Sequence, residues 1–220
     1  LASIPQKWKQ VLKNELILQP EFRNISNSNV VQVLKQSKVP RYIYSIKISQ
    51  RSIPKSSMAR KSHWEAELGI SISDDFWLQC FASIYSYTIY NKLRIFQYKL
   101  LHRILTNNID RKRWKLIPSE NCELCSSCPE SYRHLFYECQ YAKILWSKFF
   151  VWIKQRTGLV LQYDATDIIF GIQNNTPLES LINTLLLIVK QYIYASKCLK
   201  TTPNLNQLFK RVYKQMLVEK

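Results

Sequence analysis

The sequence predicts a mainly α-helical fold, in which a helical domain contains an embedded Cys-Cys-His-Cys (CCHC) knuckle and follows an irregular N-terminal segment. Apolar residues recur at helical spacing along most of the chain after residue 62, which is typical of amphipathic helices. Only 3 glycines occur in 220 residues, and this argues against the many tight turns of a β-rich fold. Hydrophobic residues make up 46% of the chain, so we expect a well-formed core.

Residues 1–62 are predicted to be an irregular connector segment, and residues 63–220 a helical domain with the knuckle at 121–140. In the first segment, Trp8 lies in a short amphipathic stretch and residues 24–29 form a polar loop rich in Asn and Ser. Residues 41–49 mix β-branched and aromatic residues in partial alternation, and both a strand and a helix are possible there.

Two helices are predicted between residue 73 and the knuckle. Ser73 followed by Asp74 and Asp75 is a favourable helix start, because acidic side chains complement the helix dipole. The apolar residues 76–90 that follow are expected to be buried. The second helix is predicted over residues 91–105, with Asn107 and Asn108 ending it. Its apolar face consists of Leu93, Phe96, Leu100 and Ile104, and a basic line of Lys92, Lys99 and Arg103 lies on another face.

Three further helices are predicted after the knuckle. The first covers residues 141–157 and ends at Gly158, which suits a helix C-cap. Residues 178–194 form a core helix rather than a membrane span, because polar residues interrupt them. The last helix is expected to start with Thr202 as N-cap and Pro203 in its first turn. The residues expected to face inward are Ile144, Leu145, Phe149 and Ile153 in the first of these helices and Leu205, Leu208, Phe209, Val212 and Met216 in the last, where Lys210, Arg211 and Lys214 face outward.

Four candidate metal ligands stand in the order C-x2-C-x8-H-x4-C, at Cys122, Cys125, His134 and Cys139. Two cysteines three residues apart can bind one ion from a tight turn, and a His and a Cys five residues apart can complete a tetrahedron. Three thiolates and one imidazole form a set that zinc most often occupies. Since the protein fills all four positions, none remains for an activated water, and we predict a structural Zn²⁺ site rather than a metalloenzyme centre.

Three cysteines lie outside this set. Cys80 and Cys198 are in apolar stretches and are predicted to be small buried hydrophobic residues. Cys128 is three residues after Cys125 and remains an alternative ligand, although Pro129 follows it. The start of the chain lacks the sustained apolar run of an export signal, so we expect an intracellular, reducing compartment in which paired cysteines indicate metal binding.

The formal net charge of +17 at pH 7 makes nucleic acid the first candidate partner. Most of the clustered bases lie in the helix over 91–105 and in a loop expected after Asn107 and Asn108, whereas the knuckle has three acids and one base. We expect the knuckle to fix the angle between the helices on its two sides. Trp114 is expected either to stack on an unpaired base or to anchor its loop to the core. The predicted nucleic-acid-binding residues are Lys92, Lys99, Arg103, Arg111, Lys112, Arg113, Trp114, Lys115, Lys143 and Lys154.

The sequence shows no catalytic constellation. Neither a Gly-x-Ser-x-Gly elbow nor a Ser/His/Asp order occurs, and His63 and His102 lack neighbours that could bind a metal with them. The pair Asp74 and Asp75 is interpreted as a helix cap rather than a polymerase metal pair, because a helix-like run follows it. We therefore predict that this segment is not catalytic by itself.

Part of the chain resembles a known family. Residues 96–108 resemble a block near the C-terminal end of the polyprotein of LINE-type non-LTR retrotransposons. In that family the block is followed by the zinc-binding segment of the reverse transcriptase. Residues 4–8 and 64–68 also resemble pieces of the same C-terminal region. The residues that match the pattern of the zinc-binding segment are Cys122, Cys125, Glu130, His134, Leu135, Phe136, Cys139 and Trp146.

The resemblance implies a segment that lies downstream of the polymerase domain, binds RNA and/or DNA and supports target-primed reverse transcription. Its expected partners are nucleic acid and the polymerase domain of the same polyprotein, with no membrane. Its expected location is the nucleus and cytoplasm, in a ribonucleoprotein. The alternative is a helical protein-interaction module that docks on the polymerase core, in which the positive charge is merely solvated.

Overall fold

The computed structural model describes residues 55–158, 160, 163–172 and 177–218. In these residues the backbone is mainly helical, as predicted, and its only paired extended backbone is an isolated antiparallel bridge between Asn121 and Pro129. The predictions for Trp8 and for residues 24–29 and 41–49 lie outside the described residues. The elements are, in chain order, α1 (Lys55–Leu68), α2 (Asp74–Tyr87), α3 (Asn91–Leu101), α4 (Asn108–Arg113), a π-helix (His134–Glu138), α5 (Gln140–Thr157), α6 (Ala165–Phe170), α7 (Pro177–Cys198) and α8 (Leu205–Val218).

The core lies around α7, which packs against α2, α3, α8 and the π-helix. Its residues Leu186, Leu187, Val189 and Ile193 are buried. Burying one such side chain contributes about 1.5–3 kcal/mol, so packing on α7 is a main source of stability. The expected core helix is therefore confirmed, and no helix of the described residues is long and apolar enough to cross a bilayer.

Trp64 joins α1 to the segment that carries the predicted ligands. Its ring lies 5.4 Å from that of Tyr132 and 5.6 Å from that of Phe170, measured between centroids. Its indole N–H donates to the carbonyl oxygen of Leu101, at the end of α3, over 2.9 Å. Helix α1 therefore shares one core with the knuckle.

The boundary expected at residue 62 is too late for the helical region. Helix α1 begins at Lys55, so residues 55–62 are helical rather than part of a connector. The segment contains no Gly or Pro after Pro54, and a proline is tolerated at the start of a helix. The prediction that residues 1–54 form an irregular segment stays untested, because they lie outside the described residues.

The helix predicted over residues 91–105 ends at Leu101 instead. Arg103 adopts a left-handed conformation, with φ of 54°, and Ile104 is 55% exposed rather than part of the apolar face. Asn107 does not end a helix but begins one, because its side-chain oxygen accepts the N–H of Asp110 over 2.7 Å. The basic residues expected in a loop thus lie on the short helix α4 and just after it.

Several helix ends and helix faces are as the sequence predicts. Ser73 caps α2 by accepting the N–H of Phe76 over 3.2 Å, and Gly158 ends α5 in a left-handed conformation with φ of 76°. Helix α8 buries Leu208, Val212 and Met216 and exposes its three bases, as predicted.

Three details differ from the sequence expectations. Asn204, not Thr202, precedes α8, and its side chain accepts the N–H of Asn206 over 2.9 Å. Ile144 is 51% exposed, because the buried face of α5 consists of Leu145, Phe149 and Ile153. Cys198 is exposed at the end of α7, whereas Cys80 is buried as expected.

Candidate metal centre

Cys122 and Cys125 stand on a tight turn that is closed by backbone hydrogen bonds. The N–H of Ser126 donates to the carbonyl of Cys122 over 2.8 Å, and the N–H of Cys122 donates to the carbonyl of Cys128 over 2.8 Å. Ser126 turns the chain with φ of 58°. The turn leaves both thiols on one side, which is what a C-x2-C pair needs to bind one ion.

His134 and Cys139 stand at the two ends of the π-helix. The N–H of Cys139 donates to the carbonyl of His134 over 2.7 Å, five residues back, which is the hydrogen bond that defines a π-turn. Ser131 starts this segment, because its hydroxyl accepts the N–H of His134 over 2.9 Å. The π-turn is wider than an α-helical turn, and it places His134 and Cys139 next to each other despite the four residues between them.

The structure brings the four predicted ligands together. The ligand atoms of Cys122, Cys125, His134 and Cys139 all lie within 4.8 Å of one another. Sγ of Cys125 is 3.3 Å from Nε2 of His134, and Sγ of Cys122 is 4.0 Å from Sγ of Cys139. A tetrahedron with Zn–S bonds of about 2.3 Å has sulfur–sulfur edges of about 3.8 Å, so the cluster fits zinc.

Burial separates the ligands from the alternative cysteine. Cys122 and Cys139 are buried, His134 is 8% exposed and Cys125 is half-buried. Cys128 is exposed and is not part of the cluster. Its carbonyl, not its thiol, takes part in the knuckle through the hydrogen bond to Cys122. The ligand set with Cys122 and Cys125 is therefore the one that the geometry supports.

The protons of the cluster are shared among its ligands. The Cys122 thiol donates to Cys139, and this hydrogen bond, together with burial, raises the pKa of Cys122 to about 12. The same hydrogen bond lowers the pKa of Cys139. Hydrogen bonds to Cys122 and Cys125 raise the pKa of His134 to about 9, against the effect of burial. A metal ion must displace these protons, so its binding weakens as pH falls.

Glu130 is fully buried and holds the cluster's turn to the rest of the fold. Its Oε2 accepts the N–H of Glu123 over 2.9 Å, between the two ligand cysteines. Its Oε1 accepts the N–H of Asn108, at the start of α4, over 3.0 Å, and lies 3.0 Å from Nζ of Lys197 on α7. The buried pair of Glu130 and Lys197 thus links the turn, α4 and α7.

Sequence reasoning assigned Glu130 no role beyond its match to the family pattern, and it missed Lys197 altogether. Lys197 lies 67 positions further along the chain and has no local signal, since lysines are rarely fully buried. Trp146, another match to that pattern, donates its indole N–H to the carbonyl of Phe136 over 2.8 Å. This hydrogen bond gives a backbone carbonyl of the π-helix a partner, and it helps to hold the segment between His134 and Cys139 in place.

The predicted nucleic-acid-binding residues fall into three groups. Arg111 is half-buried and donates to the side-chain oxygen of Asn108 over 3.2 Å. Arg103 is mostly buried: its side chain is 16% exposed, and its guanidinium lies 2.6 Å from the Glu67 carboxylate and over the rings of Trp64 and Tyr132. Arg103 therefore holds the end of α3 to α1, and its predicted contact with nucleic acid stays a prediction. The exposed residues are Lys92, Lys99, Lys112, Arg113, Trp114, Lys115, Lys143 and Lys154.

The charges of the knuckle are more balanced than the sequence suggests. Glu123 lies 2.8 Å from Lys200, Glu138 lies 2.7 Å from Arg133, and Glu130 pairs with Lys197. Lys200 and Lys197 come from the end of α7 and the residues after it, outside the counted segment. Each of the three acids counted in the knuckle is therefore paired with a base, and two of these bases lie outside the knuckle.

A family model described as zinc-binding in reverse transcriptase matches residues 55–146, which is less than half of the chain. The match extends from the start of α1 into α5 and includes all four ligands. No curated protein and no solved structure matches the chain. The match supports a zinc-binding region of a retroelement reverse transcriptase, and its description concerns zinc binding rather than polymerase catalysis.

Proposed function

We propose that this chain is the nucleic-acid-binding C-terminal module of a LINE-type non-LTR retrotransposon reverse transcriptase. Zinc is structural in this module, which is not catalytic by itself and supports target-primed reverse transcription by holding RNA or DNA. The polymerase domain of the same polyprotein is its second partner. The module acts within a ribonucleoprotein in the cytoplasm and nucleus.

The attachment of α4 to the metal centre is the observation that carries this proposal. Besides the hydrogen bond from its N–H to Glu130, Asn108 donates through Nδ2 to the carbonyl of Asn121 over 2.7 Å. Asn121 immediately precedes the first ligand, so an ion bound to the cluster holds the N-terminus of α4 in place. The basic side chains at the C-terminal end of this helix are thereby presented in a fixed direction.

The far end of α4 forms a surface suited to a single strand. Trp114 is 51% exposed, so it does not anchor the chain to the core. Its neighbours Lys112, Arg113 and Lys115 are exposed as well, and we call these four residues the α4 basic surface. An exposed tryptophan among cations can stack on an unpaired base while the cations contact phosphates.

Two of these cations also form ion pairs within the protein. Lys112 lies 3.1 Å from Glu120 and Arg113 lies 2.7 Å from Asp110. The Lys112 and Glu120 side chains are 47% and 38% exposed, and exposed pairs contribute about 0–1 kcal/mol. Phosphates can therefore compete with the Glu120 carboxylate for Lys112 at low salt.

The test is a salt titration of nucleic-acid binding by the zinc-loaded chain. We expect the triple variant Lys112→Glu, Arg113→Glu, Lys115→Glu to bind at least about tenfold more weakly and to lower the logarithmic salt slope by about 2–3. Trp114→Ala should weaken single strands by about tenfold and duplexes little. Arg111 stays unchanged, because it contacts Asn108 and its loss would disturb α4 itself.

Arg60→Glu is the control, since Arg60 is an exposed base on α1 outside the predicted set. If the triple variant binds as tightly as Arg60→Glu at low salt, the α4 basic surface does not bind nucleic acid. That result would favour the alternative, a protein-interaction module that docks on the polymerase core.

A further inference from the structure

A groove of about 400 Å³ runs between α3, α7 and α8. Helix α3 contributes Lys92, Ile95 and Lys99, α7 contributes Gln191 and Tyr194, and α8 contributes Arg211. We call this feature the α3–α8 groove. Its volume is in the range of pockets that hold small molecules or single nucleotides.

The groove carries positive charge without compensating carboxylates. Lys92, Lys99 and Arg211 are exposed, and no residue that lines the groove is an Asp or Glu. Among the described residues none of these three cations lies in an ion pair, in contrast to Lys112 and Arg113 on α4. Neither α3 nor α8 contains an acidic residue. The electrostatic potential of the groove therefore favours the binding of anions.

The floor of the groove is apolar and aromatic. Phe96 and Leu105 are buried beneath it, and Ile95 is 53% exposed between Lys92 and Lys99 on the surface of α3. The ring of Tyr194 packs against that of Phe96, with 6.0 Å between centroids. The two rings are tilted by 55° to each other, and they give an aromatic wall on which a base could pack when it leaves water.

Arg211 is held at the edge of the groove by its neighbour on α7. Its guanidinium lies 5.5 Å from the centre of the Tyr192 ring, in a cation–π arrangement. The Tyr192 hydroxyl accepts the N–H of Asn204 over 2.8 Å, which holds the start of α8 on α7. The cation is thus positioned by tertiary contacts, although α8 is distant from α3 in the sequence.

We infer that the α3–α8 groove binds an unpaired nucleotide of a single-stranded RNA or DNA segment, with the base on the apolar floor and the flanking phosphates at Lys92, Lys99 and Arg211. This inference rests on the proposed function and adds to it a second contact surface. A duplex presents phosphates but keeps its base faces stacked, so it would leave the apolar floor without a partner. Gln191 offers a neutral donor and acceptor for the edge of a base.

The experiment measures fluorescence anisotropy of labelled single-stranded RNA, single-stranded DNA and matched duplexes with the full zinc-loaded chain. Ile95→Glu places a carboxylate in the groove, and its exposure makes the fold tolerant of the change. We expect about a tenfold loss of single-strand affinity and less than about a twofold change for duplexes. Arg211→Gln should weaken single-strand binding and lower its salt slope by about 1.

Matched controls come from the same parts of the surface. Lys214→Gln removes an exposed cation of α8 that does not line the groove, and Leu199→Glu adds a carboxylate at a residue that is 70% exposed elsewhere. Both should change affinity by less than about twofold. Thermal melting of every variant checks the fold, and Arg211→Gln alone suffices if Ile95→Glu melts early.

The outcomes separate the two proposals. If the wild-type chain binds neither RNA nor DNA at low salt, the proposed function fails and this inference fails with it. If the wild-type chain binds and the α4 triple variant is weakened, but Ile95→Glu and Arg211→Gln behave like their controls, only the groove inference is overturned. Equal losses for single strands and duplexes would also overturn it. Losses for Ile95→Glu and Arg211→Gln that are confined to single strands, with both control variants unchanged, would support the inference.

Discussion

The turn that carries the first two ligands and the core around α7 are stabilised in different ways. In the turn, residues 121–130, the burial of large apolar side chains is limited to Leu124. The turn is held instead by Glu130 and by the convergence of the four candidate ligands. The α7 core buries Leu186, Leu187, Val189 and Ile193, and α7 packs against α2, α3, α8 and the π-helix. We therefore expect the first region to depend on a bound ion and on a buried charge pair, whereas the second depends on apolar packing.

The largest expected effect is the loss of the metal. His134→Ala or Cys125→Ser should remove zinc, whose binding supplies on the order of 10 kcal/mol of folding free energy in small domains. Residues 121–139 and the attached α4 should lose amide protection and helical signal. Helix α7 should lose less protection, because it also packs against α2, α3 and α8, which lie outside this region. Zinc content, circular dichroism and hydrogen exchange measure this.

Cys128→Ser is the matched control, since Cys128 is exposed and outside the ligand cluster. It should keep one zinc per chain and the wild-type exchange pattern. Unchanged circular dichroism after chelation of the wild-type protein would contradict the dependence of this region on metal.

The second effect concerns the buried pair of Glu130 and Lys197. Glu130→Gln should lower the free energy of unfolding by about 3–5 kcal/mol, because it leaves the Lys197 ammonium, 3% exposed, without its carboxylate. Glu138→Gln breaks a pair whose side chains are 40% and 39% exposed and should cost about 0–1 kcal/mol. Urea unfolding of both variants and of the wild-type protein measures the two changes in the free energy of unfolding.

Adding Lys197→Met to Glu130→Gln should recover part of the loss, since the uncompensated charge is then absent. A double variant as unstable as Glu130→Gln alone would show that the hydrogen bonds to Asn108 and Glu123, not the charge pair, hold the turn in place.

The smallest expected effect is a pH dependence that originates in the α7 core. Lys190 is buried, and its Nζ donates to Oε1 of Gln97 over 2.7 Å and to the carbonyl of Ile169 over 3.0 Å. Burial lowers the pKa of Lys190 to about 7, below its usual value of 10.5. Above pH 7 the unfolded chain holds a proton that the folded chain lacks, so the free energy of unfolding rises with pH, by at most about 1.4 kcal/mol per pH unit.

Lys190→Met removes this titration. The free energy of unfolding of the wild-type protein, relative to that of the variant, should increase between pH 7 and pH 9 in urea titrations. A difference that is constant over this range would mean that Lys190 stays protonated in the folded protein.

Much of the site could be predicted because its signals are local. The four ligands lie within 18 residues, and the C-x2-C and H-x4-C spacings are set by one turn and one helical segment. The structure adds the π-turn that brings His134 and Cys139 together, which the spacing alone does not distinguish from an ordinary helix. Asn107 was misread because Asn can either end or start a helix, and only its hydrogen bond to Asp110 decides.

The basic residues were harder to predict than the ligands. Sequence counting treats all cations alike, yet Arg103 pairs with Glu67, Lys197 with Glu130 and Lys200 with Glu123, each across 36 or more positions of sequence. Lys190 appeared to be a polar interruption of an apolar helix and is buried instead. Such outcomes depend on which helices pack together, and hydrophobic periodicity does not encode that.

The sequence by itself determined the helical character of this protein, the faces of its longer helices and the grouping of its four candidate metal ligands, because backbone geometry relates spacing to direction over a few turns. Only the tertiary structure decided which charges are buried in pairs and which remain free, and it alone assembled the α3–α8 groove from three separate helices. The physical reason is that electrostatic and apolar surfaces are completed by contacts between distant segments, which local patterns constrain but do not specify.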